Sequence, residues 1–148
     1  MVPLNLPPFE HRIKKAEGKL WIFDVIRKKY VALIPEEWVR QHFIHFLISS
    51  LGYPKALIRV EGGLSYNQLS KRSDIVVYDR QGAPWMIVEC KSPDVPVSES
   101  TVFQVSTYNA TLKAKYITVT NGLRHLVALT DWKAGETEWL KAMPSFED

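Results

Sequence analysis

The sequence predicts one α/β domain in which helices pack on a single mixed sheet. The chain has 148 residues and is 46% hydrophobic, which is enough to fill one core. Short apolar runs separated by turn residues predict strands, and two longer segments have the three- and four-residue spacing of helices. We find no internal repeat, and the connections are too short for a second domain. The expected fold class is therefore a mixed central sheet flanked by helices.

The clearest helix is predicted over residues 35–51. Its apolar residues Val39, Phe43 and Leu47 recur at four-residue spacing. Pro35 suits the first turn, where its missing N–H would be unpaired anyway, and Gly52 suits the position after the last turn. This segment is expected to present an apolar stripe to the sheet.

Charged residues lie within and beside that stripe. Glu36 and Arg40, one turn apart, fall inside it, so we expect them either to pair in the core or to face a cleft, and we favour the cleft. Glu37 falls at its edge, where we expect only an interaction with the positive end of the helix. His42 and His45 are expected on the outer face.

The remaining elements follow from alternation, apolar runs and turn residues. Before the main helix we expect an extended arm over residues 3–19 and a hairpin made by 20–26 and 30–34. Beyond it we expect strands at 56–60, 73–79 and 85–91, a helix at 98–112, and strands at 116–120 and 125–130. Residues 1–34 would then form an arm and a hairpin packed on the main part, residues 35–148, within one domain.

Composition excludes several classes of function. The net charge of +3 and the pI near 9.0 would help approach to a polyanion without identifying one. With Cys90 as the only cysteine, neither an internal disulfide nor a cysteine-rich zinc site can form, and the four histidines lack metal-ligand spacing. Glycine-rich phosphate loops, serine nucleophile elbows and dinucleotide fingerprints are absent from the sequence.

The N-terminus lacks the basic start and apolar run of a signal peptide, and no stretch approaches the roughly 20 apolar residues that cross a bilayer. We expect a cytoplasmic protein without membrane contact.

The residues that carry chemistry lie at the ends of two predicted strands. Glu89 and Lys91 follow an apolar run at alternate positions, so they should project from one face while Cys90 enters the other. Asp74 opens the preceding strand, and a hairpin turn at residues 80–83 would bring it towards Glu89. Two carboxylates and a lysine are therefore expected to converge.

This set of groups suits metal-assisted hydrolysis of phosphodiesters. Asp74, Glu89 and the backbone carbonyl of Cys90 would supply the hard oxygen ligands that Mg²⁺ or Mn²⁺ takes while it keeps waters and a substrate phosphate. Lys91 would act either as the catalytic base or as the group that orients and stabilises the attacking hydroxide.

With these motifs, the sequence resembles the PD-(D/E)xK nuclease superfamily, and in particular the N-terminal nuclease domain of type I restriction enzyme R subunits. The two strand ends carry the resemblance in segments 71–77 and 87–93, which look like the family's first and second motifs. Three further segments support it: the first-helix motif at residues 35–41, the signature from Gln104 to Tyr108, and the turn at 120–122. Ser73 stands where the superfamily's name expects proline, a variable position that shapes only the backbone.

The resemblance implies the restriction-endonuclease-like fold and a Mg²⁺-dependent DNA endonuclease. It adds Glu36 and Gln104 to the catalytic set of Asp74, Glu89 and Lys91. It also implies contacts to DNA, which we assign to Lys71, Arg72, Arg40 and Tyr108. Similar proteins work beside helicase or specificity subunits of restriction systems, so such partners are expected together with DNA. Whether the chain forms a homodimer stays open.

Each of these residues also has an ordinary explanation. Glu89 and Lys91 could form an exposed ion pair, and Asp74 could cap a strand end. We favour the site because the strand before Glu89 is continuously apolar, and strands buried on both faces rarely end in charges without a purpose.

The accessory residues have equally ordinary alternatives. Gln104 and Tyr108 could simply pack on a helix face, and Lys71 and Arg72 could be solvated. For the whole chain, the alternative is a non-catalytic module of the same fold that binds nucleic acid or a partner.

Overall fold

The computed structural model describes residues 2–60, 75–110 and 112–147, apart from the side chain of Tyr108. Its helices are α1 (Pro35–Ser49) and α2 (Glu99–Tyr108), and a 3₁₀ turn spans Lys55–Leu57. Its strands are β1 (Ile13–Ala16), β2 (Lys19–Asp24), β3 (Lys29–Ala32), β4 (Ile58–Val60), β5 (Ile75–Tyr78), β6 (Pro84–Cys90), β7 (Tyr116–Thr120), β8 (His125–Asp131) and β9 (Glu136–Leu140). Neither helix of the described part is long and apolar enough to cross a lipid bilayer.

The main sheet has six strands in the order β4-β5-β6-β7-β8-β9. Neighbouring strands are antiparallel except for β6 and β7, which are parallel. Parallel neighbours need a crossover connection, and α2 lies in the connection between these two strands. The predicted fold class, a mixed sheet with helices, is confirmed.

Two hydrophobic clusters fill the two faces of this sheet. Residues of α1 such as Phe43 and Leu47 pack with Met86 and Val88 of β6. The other cluster joins α2 to Ile87 of the same strand. Successive residues of β6 therefore enter opposite layers, as the pleat of a strand requires, and this alternation sets the direction of every side chain at the end of β6.

A separate three-stranded sheet, in the order β1-β2-β3, precedes α1. The predicted hairpin corresponds to β2 and β3, but residues 13–19, predicted as part of the arm, form β1 and the start of β2. The prediction failed because Ile13–Ala16 has two lysines and three exposed residues, and so lacks the alternation by which a half-buried strand is recognised.

The N-terminal segment before β1 contacts both α1 and the β7–β8 turn. The amide of Asn5 donates to the carbonyl of Gly122 at 2.8 Å, and the indole of Trp38 donates to the carbonyl of Val2 at 3.0 Å. Leu4 and Leu6 pack against the α1 cluster. Apolar contact thus holds this segment on the core.

Several element bounds differ from the prediction. Helix α2 ends at Tyr108 rather than at residue 112, because the Asn109 side chain bonds both the amide and the carbonyl of Ala114 and so starts the next turn. Strand β9 was not predicted, since Glu136, Thr137 and Glu138 are all exposed. Of the strand predicted at residues 73–79, the part before Ile75 lies outside the described residues.

Candidate active site

Glu89 and Lys91 lie at the carboxyl end of β6, on the face that carries α2. Glu89 follows Ile87 by two residues, and Ile87 belongs to the α2 cluster. Glu89 also pairs with Val119 of β7, another member of that cluster. The strand's alternation therefore directs both polar side chains towards the α2 layer.

The two side chains form a half-buried ion pair. Lys91 Nζ is 3.4 Å from Glu89 Oε2, and the side chains of Lys91 and Glu89 are 35% and 20% exposed. The amide of Lys91 donates to the carbonyl of Thr120 at 2.8 Å, which continues the β6–β7 ladder past the last residue of β6. The backbone of Lys91 is thereby fixed, and a carboxylate and an ammonium are held where solvent reaches both.

Cys90 lies between them and points the other way. Its side chain is fully buried in the α1 cluster. The sulfur is therefore directed away from Glu89, so that only the backbone carbonyl of Cys90 remains a candidate ligand for a metal beside Glu89.

Asp74, Lys71 and Arg72 lie outside the described residues. The structure does describe the strand pair next to Asp74. Ile75, which directly follows Asp74 in the chain, pairs with Val88, which directly precedes Glu89. Val76 and Ile87 form the next pair of the same antiparallel ladder.

Glu36 and Arg40 are joined to each other on α1. Arg40 Nη2 donates to Glu36 Oε2 at 3.0 Å, and Arg40 Nη1 donates to Glu37 Oε1 at 2.6 Å. The Glu36 side chain is 43% exposed, whereas those of Arg40 and Glu37 are each 7% exposed. We considered two arrangements for Glu36 and Arg40, an ion pair and a position facing a cleft. The described contacts are those of an ion pair.

The prediction that Glu37 serves only the helix dipole is wrong. Glu37 is buried and also accepts hydrogen bonds from Arg27 Nη2 and Gln41 Nε2, both at 2.8 Å. The reason is that Asp24 at the end of β2 and Arg27 of the β2–β3 turn bind Gln41 and Glu37 on the side of α1 that a stripe analysis leaves to solvent.

Asp24 at the end of β2 completes this network. Burial alone would raise the pKa of Asp24, but hydrogen bonds from the backbone and guanidinium of Arg27 and from Gln41 hold it below its usual value. Neither Asp24 nor Arg27 was predicted as a site residue from the sequence. The available signal was an aspartate at the end of the apolar run Trp21–Phe23 with an arginine three residues later.

Gln104 and Tyr108 are the predicted site residues on α2. Gln104 is solvent-exposed on α2 and makes no hydrogen bond with a described side chain, while Val102 and Val105 are the buried residues of that helix. The Tyr108 side chain lies outside the part of the chain that the structure describes. Because α2 covers the face that carries Glu89, the structure places Gln104 on the same side of the sheet without bringing it to Glu89.

The histidines of α1 lie beneath the N-terminal segment. His42 is only 7% exposed, so the prediction of an outer position is wrong for this residue. Phe9 packs edge-on against His42 with ring centroids 4.7 Å apart and stacks on His45 at 4.3 Å. Burial lowers the pKa of both histidines.

The described residues at the end of β6 offer oxygen donors for a metal ion. Within the described ranges, no three His, Cys, Asp or Glu side chains are grouped to hold a metal ion. The donor chemistry at the end of β6 is nevertheless suitable for Mg²⁺, since the Glu89 carboxylate and the Cys90 carbonyl offer hard oxygens at a partly exposed edge.

Comparisons with known proteins identify the family. The family described as the N terminus of the type I restriction enzyme R protein matches residues 35–144. One similar solved structure is a fragment assigned as an HsdR subunit of a type I restriction enzyme from Vibrio vulnificus YJ016. Its identity to the chain is 27% and its TM-score is 0.38, and the match covers 60% of this chain and 16% of that one. No curated protein matches the chain significantly.

The family match spans well over half of the chain. This chain therefore belongs to the family formed by the N termini of type I restriction enzyme R proteins.

Proposed function

We propose that this protein hydrolyses DNA phosphodiester bonds with bound Mg²⁺ or Mn²⁺, as a cytoplasmic nuclease of the PD-(D/E)xK type within a restriction system. The observation that carries the proposal is the half-buried pair of Glu89 and Lys91, a carboxylate and an ammonium 3.4 Å apart at the end of a central strand. A carboxylate and an ammonium held side by side at the end of a central strand can serve metal binding and the stabilisation of developing charge. The family's association with restriction enzymes supports DNA as the substrate.

Asp74, Glu89 and the carbonyl of Cys90 are the proposed metal ligands. The pairing of Ile75 with Val88 supports this assignment, because Asp74 and Glu89 are the residues adjacent to that pair in the chain. When bound, the divalent cation would polarise the scissile phosphate and lower the pKa of a water molecule.

Lys91 is the proposed catalytic base or stabiliser of the attacking hydroxide, and the structure's contacts support stabilisation. Its ammonium lies beside the carboxylate that would hold the cation, so it can donate hydrogen bonds to the attacking oxygen and to the phosphate oxygens that gain charge. An amine on a fixed backbone position, only about a third exposed, supplies this stabilisation with little reorganisation.

Glu36 and Gln104 are proposed as accessory residues. For Arg40 we propose a positioning role instead of the predicted DNA contact, because its guanidinium is buried against Glu36 and Glu37. Arg40 would then hold Glu36 at the start of α1. Lys71, Arg72 and Tyr108 remain the proposed contacts to DNA.

The partners proposed with this function are DNA and the helicase and specificity subunits of a restriction system. The family membership supports a restriction context. Light scattering of the purified chain would decide between a monomer and a homodimer.

Nicking of supercoiled plasmid in Mg²⁺ tests the proposal. The wild type should nick, Lys91→Ala should lose at least about two orders of magnitude in rate, as removal of a charge-stabilising donor does elsewhere, and Lys133→Ala, an exposed lysine after β8, should behave as wild type. If the wild type cuts no DNA or RNA, the catalytic reading fails and a non-catalytic binding module takes its place.

A further inference from the structure

A cationic cleft lies at the β4 edge of the main sheet. It has a volume of about 510 Å³ and is bounded by the β2–β3 turn and by the segment from the 3₁₀ turn to β4. Its described lining includes three cations, Lys28, Lys55 and Arg59, and no carboxylate. Val25 and Ile58 contribute to an apolar floor. Among the described lining residues, the positive charge at this edge is therefore concentrated without a carboxylate to compensate it.

The cleft is preorganised by the β2–β3 turn. The carboxylate of Asp24 accepts hydrogen bonds from the amides of Ile26 and Arg27 at 2.7 and 2.9 Å. The amide of Lys28 donates to the carbonyl of Asp24 at 2.7 Å, and Lys28 has a φ of 57°. Within the described chain, neither Lys28 nor Lys55 forms an ion pair, so both ammonium groups are available to a ligand.

A second cleft of about 470 Å³ shares Ala56 and Arg59 with the first and adds Arg80. The one described carboxylate of this second cleft, Asp79, accepts hydrogen bonds from the amides of Gln81 and Ala83. Because they share Ala56 and Arg59, the two clefts adjoin, and together they carry four cations, which we call the cationic strip. Cations spread over two adjoining clefts suit a linear polyanion better than a compact anion.

Arg59 connects this strip to the candidate active site. It pairs with Val76, which pairs with Ile87, and cross-strand neighbours share a face, so Arg59 lies on the face that carries Glu89. Two strand spacings and two residues along a strand separate the Cα atoms of Arg59 and Glu89 by about 12 Å. That is about a third of one turn of B-DNA, which is roughly 34 Å long.

We propose that the strip formed by Lys28, Lys55, Arg59 and Arg80 binds the phosphate backbone of the nucleic acid next to the cleavage site. This inference rests on the proposed DNA substrate. The distance favours nucleic acid over an acidic peptide, because a strand held at Glu89 and Lys91 would reach Arg59 within a few nucleotides. The contacts are to phosphates, so they add affinity without sequence preference.

Binding of a fluorescent 30-base-pair duplex to the whole chain in EDTA tests this inference. The double variant Lys28→Gln with Lys55→Gln should bind more weakly, and the slope of log K against log salt should fall by about 1.8, since each phosphate contact contributes about 0.9. The control, Lys133→Gln with Lys141→Gln, makes the same charge change near β9, the opposite edge of the sheet, and should keep the slope. Should the first pair fold poorly, Lys55→Gln alone should lower the slope by about 0.9.

The results separate this inference from the proposed function. If the wild type and the double variant have equal slopes of log K against log salt, the proposal that the strip binds phosphates is wrong. Such a result would leave the proposed nuclease activity untouched. If the double variant has the smaller slope but the wild type never nicks DNA, the strip binds nucleic acid and the proposed nuclease activity is wrong. If the double variant binds polyglutamate more weakly than the wild type but binds DNA equally well, the strip recognises an acidic peptide. That result would overturn our proposal.

Discussion

Replacing Arg40 by methionine should destabilise the protein strongly, although the two side chains have similar volume. Arg40 binds Glu37 at 2.6 Å and Glu36 at 3.0 Å from a position that is 5% exposed. Removing one partner of a buried ion pair costs about 3–5 kcal/mol, because the other charge stays buried without compensation. Arg27 still contacts Glu37 at 2.8 Å, which offsets part of that cost.

We therefore expect a loss near the lower end of that range, about 3 kcal/mol. For a chain of this size such a loss would lower Tm by roughly 6–12 °C. Urea unfolding of Arg40→Met should show a lower midpoint with an unchanged m-value. The control is Glu36→Gln, which removes the exposed partner and should cost less than about 1 kcal/mol. A loss below about 1 kcal/mol for Arg40→Met would refute the view that this network stabilises the packing of α1.

Two other predictions concern the contacts of the N-terminal segment. Burial lowers the pKa of His42, His45 and His125 below the usual 6.5. As the pH falls, the unfolded chain therefore takes up protons before the folded one does. The free energy of unfolding should fall as the pH drops below about 6.5. Urea titrations at pH 7.5 and 5.5 would measure this, and equal stability at the two values would contradict it. Gly122→Ala should destabilise more than Gly82→Ala, by about 1 kcal/mol or more. Both glycines have similar positive φ values, 86° and 88°, but only a Cβ at Gly122 would lie 2.8 Å from Leu4. Equal losses of Tm in the two variants would show that Leu4 can move away from the added methyl group without destabilising the protein.

The sequence predicted the elements whose signal is local. The order of α1, β4 to β6, α2, β7 and β8 follows from apolar spacing and turn residues, and the positions of Glu89 and Lys91 on one face follow from the period of a strand. Strands β1 and β9 were not predicted from the sequence because they are short, polar and largely exposed. Pairing with neighbouring strands decides their conformation.

What could not be predicted depends on contacts between distant segments. A helical stripe assumes one buried face, but α1 packs on the main sheet on one side and is also contacted by the N-terminal segment and by the β2–β3 turn. That is why Glu37 and His42 are buried. Arg40 also shares Glu37 with Arg27 of the β2–β3 turn, a contact that the spacing within α1 does not predict.

Mg²⁺-dependent stability of the wild type and three variants tests the central claim most directly. Metal at ten times its Kd should stabilise the wild type by about 1.4 kcal/mol and raise Tm by roughly 3–6 °C. Asp74→Ala and Glu89→Ala should lose this shift, because each removes a proposed ligand. Lys91→Ala should keep or enlarge it, because it deletes a cation that sits 3.4 Å from the Glu89 carboxylate. If Mg²⁺ and Mn²⁺ leave the wild type's Tm unchanged, or if Asp74→Ala and Glu89→Ala respond as the wild type does, the proposed metal site at the end of β6 is wrong.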